Sequence, residues 1–209
     1  MDTVEHPHSR SGTAVRRRGR TRVEDILTCA QGILVREGIA ALTTRRVARE
    51  LGISVGNLAY YFASKDDLLQ ALISHVIGGY DRELQREAAS FPDQPAERFK
   101  AFLRYMIEDA RRPEVHAFFY QLWGLSSHDP AVAATRDDMY THFAAQTTDL
   151  LRGLRPGADR RELEMLAIIV LNSLEGLHVL YGSGRRFLRR YRGFDEATYR
   201  HLLATVGID

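Results

Sequence analysis

The sequence has one cysteine and no long uninterrupted apolar run, and each shortage narrows the class of protein. With Cys29 alone, the chain cannot form an intramolecular disulfide, which favours a reducing compartment. No apolar stretch approaches the ~18 uninterrupted residues of a membrane-spanning helix. The first residues lack the apolar segment that follows the charges in a secretory signal. These features predict a cytoplasmic protein that makes no membrane contact.

Strand patterns and catalytic signatures are also missing from the sequence. No alternating apolar and polar run is bounded by hairpin turns. There is no glycine-rich phosphate loop followed by lysine, no nucleophile elbow and no histidine pair at metal-binding spacing. His6 and His8 together would make a weak metal site at best. We therefore expect a protein that is not an enzyme and that has no metal site and no cofactor.

Apolar residues recur at helical spacing between breaks that contain proline or glycine. A further long apolar-periodic segment begins at Lys65. The pattern predicts an all-α fold of about eight to ten helices, without internal repeats. The other periodic runs of the C-terminal part cover residues 99–107, 115–125, 132–154, 163–181 and 199–206.

Charge is distributed unevenly along the chain. Residues 1–65 carry 11 Lys and Arg against 6 Asp and Glu, whereas residues 66–209 carry 18 against 21. The first part therefore has a net charge of +5 and the second of −3, an asymmetry that suits phosphate binding by the first part. Residues 1–19 lack apolar periodicity and are predicted to be a disordered basic tail. Their run Arg16-Arg17-Arg18 fits either an arm in the DNA minor groove or a solvated tail.

The stretch 43–65, TTRRVARELGISVGNLAYYFASK, has the pattern of two short helices joined by a tight turn. Thr43 and Ser54 are suited to cap the two helices, and Gly52 is suited to the left-handed conformation that closes the first. Leu58 and Phe62, four residues apart, are predicted to face inward. Helices joined in this way let a small domain place the second one in the DNA major groove.

The tandem aromatics that follow make the pattern more specific. Tyr60, Tyr61 and Phe62 precede Ser64 and Lys65 at the start of a third helix. This run resembles the DNA-binding region of TetR-family transcriptional regulators, over residues 20 to 72. The resemblance implies a helix-turn-helix DNA-binding domain at 20–65, and a helical effector-binding and dimerisation domain at 66–209.

Base reading is expected from the N-terminal residues of the second helix, and phosphate binding from the residues around it. Val55 and Ala59 depart from the family pattern, in which lysine and an aromatic are common at these two positions. One ring of the two tyrosines can instead pack inward. The predicted DNA-binding residues are Thr43, Thr44, Arg45, Ser54, Val55, Gly56, Asn57, Tyr60, Tyr61 and Lys65.

The body has a concentration of aromatic residues, which at helical spacing favours an ordinary core. The same residues can line an apolar cavity with a few polar anchors, and the resemblance implies an effector pocket in this domain. Glu175 and His178 are also spaced to pair with each other on one helix. The predicted ligand-binding residues are Phe102, Phe119, Trp123, Tyr140, Phe143, Asn172, Glu175 and His178.

Two apolar stripes near the C-terminus suggest a dimer interface. Leu163, Leu166, Ala167, Val170, Leu174, Leu177 and Tyr181 form the first stripe, and Tyr199, Leu202, Leu203 and Val206 form the second. The resemblance implies that segments 163–181 and 199–206 form a homodimer; without it, each stripe is typical of core.

Together these features predict a homodimeric DNA-binding regulator that binds a double-stranded operator. The resemblance favours a repressor, released by a small, largely apolar effector. The alternatives are a helical small-molecule binding protein, or a regulator that responds to a protein partner, with a weakened DNA-reading head. Val55 and Ala59 are the features that favour these alternatives.

Overall fold

The computed structural model describes residues 10–182 and 188–208, with the backbone alone for residues 10–20 and for Arg189. The described residues contain no β-strand, which confirms the all-α prediction. A short 3₁₀ helix lies at Leu188–Arg190. The α-helices are α1 (Arg10–Glu37), α2 (Thr44–Glu50), α3 (Val55–Tyr61), α4 (Lys65–Ala89), α5 (Pro95–Ala110), α6 (Pro113–Ser126), α7 (Pro130–Leu154), α8 (Arg160–Gly182) and α9 (Phe194–Val206).

Proline begins three consecutive helices of the body. Pro95, Pro113 and Pro130 are the first residues of α5, α6 and α7. Proline suits this position because its fixed φ is already helical. It lacks a backbone N–H, but an N–H in the first turn would have no acceptor within the helix. Asp129 adds a cap to α7, since its Oδ1 accepts hydrogen bonds from the backbone N–H groups of Ala131 at 2.9 Å and Val132 at 3.2 Å.

Helix α1 begins earlier than the sequence suggested. Residues 10–19, predicted to belong to a disordered tail, are helical, and residues 1–9 of that tail lie outside the described residues. No proline lies between Pro7 and Pro92, so no residue in this stretch blocks the helical backbone. The absence of an apolar stripe shows that a segment buries little apolar surface, but it does not prevent the segment from being helical.

The chain divides into two compact units, residues 1–75 and residues 76–209. The first unit, the head, has an apolar core that includes Ile33, Leu42 and Leu58, each with no exposed surface. Val47, Leu68 and Leu72 are equally buried. The core of this unit therefore draws on all four of its helical segments.

The second unit, the body, is organised around α8. This helix contacts α5, α6, α7 and α9. By length and composition α8 could cross a membrane, with a mean hydropathy of 1.6 over 18 residues, but a core helix of a soluble protein passes the same test. Its buried side chains pack in one cluster with those of α5 and α9. Those from α8 are Leu163, Ala167, Val170, Leu174, Leu177 and Tyr181, and those from α9 are Tyr199, Leu202, Leu203 and Val206.

That cluster corrects the predicted dimer interface. The residues of both predicted stripes, apart from the partly buried Leu166, are buried inside a single chain. They cannot also face a partner. The apolar residues of α8 that remain exposed are Met165 (56%), Ile168 (52%), Ile169 (42%) and Val179 (50%). The stripe was assigned to the wrong face because α8 is apolar on more than one side.

The C-terminal end of α8 is tied to α6 by a tyrosine and a glycine. The Tyr120 hydroxyl donates a hydrogen bond to the Val179 carbonyl at 2.8 Å. The Tyr120 ring occupies the space that a Cβ atom on Gly182 would need. Glycine is therefore required at position 182 as long as position 120 carries this ring in this place.

Candidate DNA-reading surface and effector site

Local capping builds the two helices of the predicted helix-turn-helix. The Thr43 Oγ1 accepts from the Arg46 N–H at 3.1 Å, and the Ser54 Oγ accepts from the Asn57 N–H at 3.1 Å. Gly52 lies between the helices at φ +65°, a conformation that other residues rarely adopt. The motif was predicted from these same residues.

One face of α3 is buried and the other is open to solvent. Leu58 has no exposed surface and Phe62 has 7%, as predicted. Val55 is 45% exposed, and Gly56 and Asn57 beside it are also exposed. The first turn of α3 therefore presents a small, flat surface with an amide group, which is suited to contact base edges.

The two tyrosines of α3 differ in environment. Tyr60 is 83% exposed, whereas Tyr61 is half-buried. Their rings meet edge to face with centroids 5.1 Å apart. Tyr60 is thus free to reach a phosphate oxygen, while Tyr61 supports its ring.

Lys65, predicted to bind phosphate, has a bond within the head. Its Nζ donates to the Ile39 carbonyl at 3.1 Å, and the side chain is half-buried. This contact joins the start of α4 to the segment between α1 and α2. The ammonium group has further N–H donors that can bind an anion, but this lysine also links two segments of the head.

A network of exposed ion pairs joins α1 to α2. The Arg46 Nη2 lies 2.7 Å from Glu37 Oε1 and 3.3 Å from Glu50 Oε2, and the Arg36 Nη2 lies 2.7 Å from Glu50 Oε1. Although desolvation acts the other way, the hydrogen bonds from both arginines lower the pKa of Glu50. Among the described residues, the exposed Arg45 takes no part in such a pair, which leaves it available to DNA phosphates.

In the body, five of the predicted ligand residues come together. The Trp123 Nε1–H donates to the Tyr140 hydroxyl at 2.8 Å. Phe119 lies with its ring centroid 5.9 Å from that of Trp123 and 4.6 Å from that of His178. Glu175 joins the group through a hydrogen bond with Tyr140. We call these residues, Phe119, Trp123, Tyr140, Glu175 and His178, the aromatic cluster.

Glu175 is the acidic member of the aromatic cluster. Its Oε2 is buried and has no hydrogen-bond partner within the described chain. Burial raises the pKa of Glu175 to about 7, although the hydrogen bond with Tyr140 lowers it in part. An unpartnered carboxyl oxygen in an apolar site is costly for the free protein. A cation or a hydrogen-bond donor beside this oxygen would offset that cost.

His178 is the second titratable group of the aromatic cluster. It is 2% exposed, and its Nδ1 has no partner among the described residues. Burial lowers the pKa of His178 to about 4, with a smaller contribution from His116. The imidazole is therefore neutral at pH 7 and does not neutralise Glu175. The expected pairing of Glu175 with His178 is not seen.

Three predicted ligand residues lie elsewhere. Phe143 packs against Tyr80, with ring centroids 5.7 Å apart. Phe102 packs against Phe99 at 5.8 Å and lines a separate cavity. Asn172 is exposed and lines a groove between α8 and α9, so its assignment as a pocket anchor is corrected. It lies on the solvent side of α8, one helical turn before Glu175.

Sequence reasoning missed a second buried acid beside the aromatic cluster. The Tyr80 hydroxyl donates to Asp109 Oδ2 at 2.6 Å, and Arg112 Nη1 lies 3.1 Å from Asp109 Oδ1. Burial raises the pKa of Asp109, against the hydrogen bonds from Tyr80 and Arg112. Tyr80 also approaches Phe119, with centroids 6.3 Å apart. The spacing of Asp109 and Arg112 is a weak sequence signal, but Tyr80 is too distant in sequence to predict.

Comparison with known proteins identifies the family of the head. The sequence profile described as "Bacterial regulatory proteins, tetR family" matches residues 26–72, which include α2, α3 and their caps. Residues 26–72 therefore carry the DNA-binding domain of the TetR family. The match confirms the resemblance given by the capped helix pair and the tandem aromatics. The protein is a DNA-binding transcriptional regulator, and the related proteins are regulators rather than enzymes.

Curated relatives include regulators named BetI. The chain is 25% identical over 138 residues to the HTH-type transcriptional regulator BetI of Burkholderia thailandensis, covering 64% of this chain and 69% of that protein. It is 27% identical over 97 residues to BetI of Stenotrophomonas maltophilia, covering 46% of this chain and 50% of that protein. The chain thus spans about half the length of the second relative.

Solved structures share the fold. A putative transcriptional regulator from Pseudomonas aeruginosa PAO1 matches with a TM-score of 0.75 at 22% identity, covering 90% of this chain and 89% of that chain. A putative transcriptional regulator from Saccharomonospora viridis in complex with choline matches with a TM-score of 0.66 at 19% identity, covering 90% and 96%. At these identities the likeness concerns the fold alone.

Proposed function

We propose that this protein is a cytoplasmic homodimeric repressor that binds operator DNA through its head and is released by a small organic cation bound in its body. The observation that carries the effector class is the buried, unpartnered carboxyl oxygen of Glu175 among aromatic rings.

DNA reading is assigned to the exposed first turn of α3. Val55 can meet a thymine methyl group, and Asn57 can pair with adenine. Gly56 allows the backbone to come close to the groove. Phosphate binding is assigned to the remaining predicted residues: Thr43, Thr44, Arg45, Ser54, Tyr60, Tyr61 and Lys65. Two such heads in a dimer would bind a pseudo-palindromic site.

Dimerisation is assigned to the solvent faces of α8 and α9. On α8 the exposed apolar residues Met165, Ile168, Ile169 and Val179 form a face that a monomer would leave in water. On α9 the exposed residues include Ala197 and Ala204, whose small side chains permit close helix packing. The two segments are those predicted from the sequence, with the opposite faces in contact.

The effector is assigned to the aromatic cluster. Aromatic faces attract cations through the ring quadrupole, and quaternary ammonium groups are recognised in this way by aromatic cages. The Glu175 carboxyl would supply the opposite charge, and neutral His178 would not oppose it. A quaternary ammonium ion with apolar methyl groups keeps the predicted apolar character of the effector and adds a positive charge. Choline in the S. viridis structure is consistent with this choice.

A matched pair of ligands tests the charge. Choline and its neutral isostere 3,3-dimethylbutan-1-ol have nearly the same shape, so only the charge differs. Choline should release DNA from upstream of the protein's own gene and change Trp123 emission over the same concentration range. The isostere should need at least tenfold more, because it loses the ionic and cation–π attraction.

Two variants locate the site. Glu175→Gln keeps the shape and removes the charge, and should raise the choline concentration needed by about ten- to a hundredfold. Glu164→Gln is the control, because Glu164 is an exposed carboxylate on the same helix, paired with Arg160. Equal action of the two ligands on wild-type protein, or equal effects of the two variants, would disprove the assignment.

A further inference from the structure

The hydrogen bonds of the aromatic cluster run in one direction and end at Glu175. The Trp123 Nε1–H donates to the Tyr140 hydroxyl oxygen at 2.8 Å. A tyrosine hydroxyl has a single proton, so Tyr140 donates that proton to the carboxyl group of Glu175. Glu175 therefore receives one neutral donor at one of its two oxygens. The other oxygen, Oε2, is buried and has no partner within the described chain.

The basic side chain of α7 that lies nearest in sequence to Tyr140 is already paired. Arg136, one helical turn before Tyr140, lies 2.7 Å from Asp137 Oδ1 and donates to the Ser126 hydroxyl at 2.9 Å. Burial raises the pKa of Glu175 and the Tyr140 hydrogen bond lowers it, and no basic group is among these causes. Nothing described in the chain thus offsets the negative charge of an ionised Glu175.

The groups on α4, α5 and α9 do not supply the missing charge either. Burial and the neighbouring Asp109 raise the pKa of Tyr80 on α4, with a smaller contribution from Glu175, so Tyr80 stays neutral. Asp109 on α5 accepts from Tyr80 and is paired with Arg112 at 3.1 Å. On α9, His201 lines the open groove between α8 and α9.

Two histidines lie closer to the aromatic cluster. Burial lowers the pKa of His178 to about 4, so this ring gains a proton only in stronger acid. His116 on α6 contributes to that shift, which places it within electrostatic reach of His178. Since an ordinary histidine titrates near neutral pH, His116 is the group that a control must exclude.

Proton binding and cation binding at Glu175 are expected to oppose each other. With a single hydrogen bond in place of water, the carboxyl group holds its proton up to a pKa of about 7. A cation among the rings would instead favour the ionised carboxylate. By linkage, each of the two ligands must weaken the binding of the other.

We propose that effector binding in the aromatic cluster is coupled to proton release, so that Glu175 holds a proton in the effector-free protein at slightly acidic pH and loses it to solvent when an organic cation binds. The protein then responds to the cation and to pH together, and it releases DNA less readily in acid. This coupling rests on the proposed function, because it concerns the same site and the same class of effector.

Choline binding to the full-length protein, measured by calorimetry, tests the coupling. The affinity should fall about tenfold from about pH 8 to about pH 6. Near the lower pH, binding should release close to one proton per chain, seen as a difference in heat between buffers of unlike ionisation enthalpy. Near the higher pH it should release almost none. The neutral isostere 3,3-dimethylbutan-1-ol should lose no affinity toward acid, because it does not favour the ionised carboxylate.

Three variants locate the proton. Glu175→Gln should bind choline weakly and with the same affinity at both pH values, because the titrating group is gone. Glu164→Gln changes an exposed carboxylate on the same helix and should keep the tenfold change. His116→Gln removes the nearby histidine and should keep it as well.

The outcomes separate this proposal from the proposed function. Wild-type affinity for choline that is the same at both pH values would overturn the coupling and leave the effector class intact. A pH dependence that survives in Glu175→Gln, or disappears in His116→Gln, would overturn the coupling because the proton would belong to another group. If choline binds at neither pH, the proposed effector class fails and the coupling fails with it.

Discussion

The head and the body differ in where their charged groups lie and in how these groups are paired. In the head, the charged groups form ion pairs near the surface, such as Arg46 with Glu37 at 2.7 Å, whose side chains are about one-third exposed. In the body, carboxyl groups are buried among rings. The unpartnered buried side-chain atoms of the described chain all belong to the body: Arg98 Nε, Gln146 Oε1, Glu175 Oε2 and His178 Nδ1.

The polar groups of the head are satisfied near its surface, whereas the interior of the body contains unsatisfied ones. Among the described residues of the head, no buried side-chain atom lacks a partner, and the reading face is open to water. The body carries buried polar atoms that have no partner within the described chain. Stability in the head should therefore respond weakly to single polar changes, and stability in the body should respond strongly to charge.

The largest expected effect is that of a charge placed in the body core. Leu174, 2% exposed, lies in the buried cluster, whereas Ile168 is 52% exposed on the same helix. Leu174→Glu should cost about 4 kcal/mol or more, because it buries an unpaired carboxylate. Ile168→Glu should keep the helical circular dichroism of the wild type and shift the sedimenting species to monomer. A folded Leu174→Glu dimer would show that the buried and exposed faces of α8 are exchanged.

The next effect is a pH dependence that belongs to Glu175. Burial raises the pKa of this carboxyl to about 7 in the folded protein, above the ordinary value of 4.5. Between those pH values the folded state holds a proton that the unfolded state has lost, so the free energy of unfolding falls as pH rises. The upper limit of this loss is about 3 kcal/mol. His178 acts in the opposite direction, because its lowered pKa, about 4, removes stability as pH falls.

Comparison with Glu175→Gln isolates the Glu175 contribution, since His178 is common to both proteins. The variant should gain stability relative to wild type as pH rises from about 4.5 to about 7 in urea denaturation. A difference that stays constant over this range would mean that Glu175 is not desolvated.

In the head, two adjacent arginines should separate DNA binding from stability. Arg45 is exposed and is predicted to contact phosphate, whereas Arg46 is held by Glu37 and Glu50. Arg45→Ala should weaken binding to all DNA sequences about equally and lower the salt dependence by about 0.9 in the slope of log K against log salt. Arg46→Ala should act mainly on the folding of the head. Anisotropy titrations at several salt concentrations measure the slope, and identical slopes for the two variants would remove the distinction.

The smallest effect concerns a cap. Ser54→Ala removes the acceptor of the Asn57 N–H and should cost about 1 kcal/mol of stability in the head. Ser54→Asp replaces the cap with another good acceptor and should restore that stability. Because aspartate adds a negative charge at the reading face, it should still weaken DNA binding. Equal stability of the alanine and aspartate variants would show that the cap contributes nothing.

The head could be predicted in detail because its signals are local. Thr43 and Ser54 cap a residue three positions later, and Leu58 and Phe62 lie one helical turn apart. Such spacings are visible in a sequence. The bond from Lys65 to Ile39, 26 positions apart, has no such signal.

The helices of the body were predicted, but which face of each helix is buried was not. Periodicity identifies an apolar stripe without showing what covers it, and α8 carries apolar residues on two sides. The stripe that contains Leu174 was therefore assigned to a partner that it does not meet. Arg98 and Gln146 line one cavity from positions far apart in the chain, and the sequence gives no signal for that meeting.

The contact between Tyr120 and Gly182 has a consequence for recognising relatives of this protein. Because the ring fills the place of a side chain at 182, a larger residue there would require the Tyr120 ring to move. A homologue with alanine or a larger residue at 182 should carry a smaller residue at 120, and one that keeps the tyrosine should keep the glycine. Since Tyr120 also packs edge to face on Trp123 with centroids 5.8 Å apart, this pair of positions marks the subgroup of proteins that build the aromatic cluster in the same way.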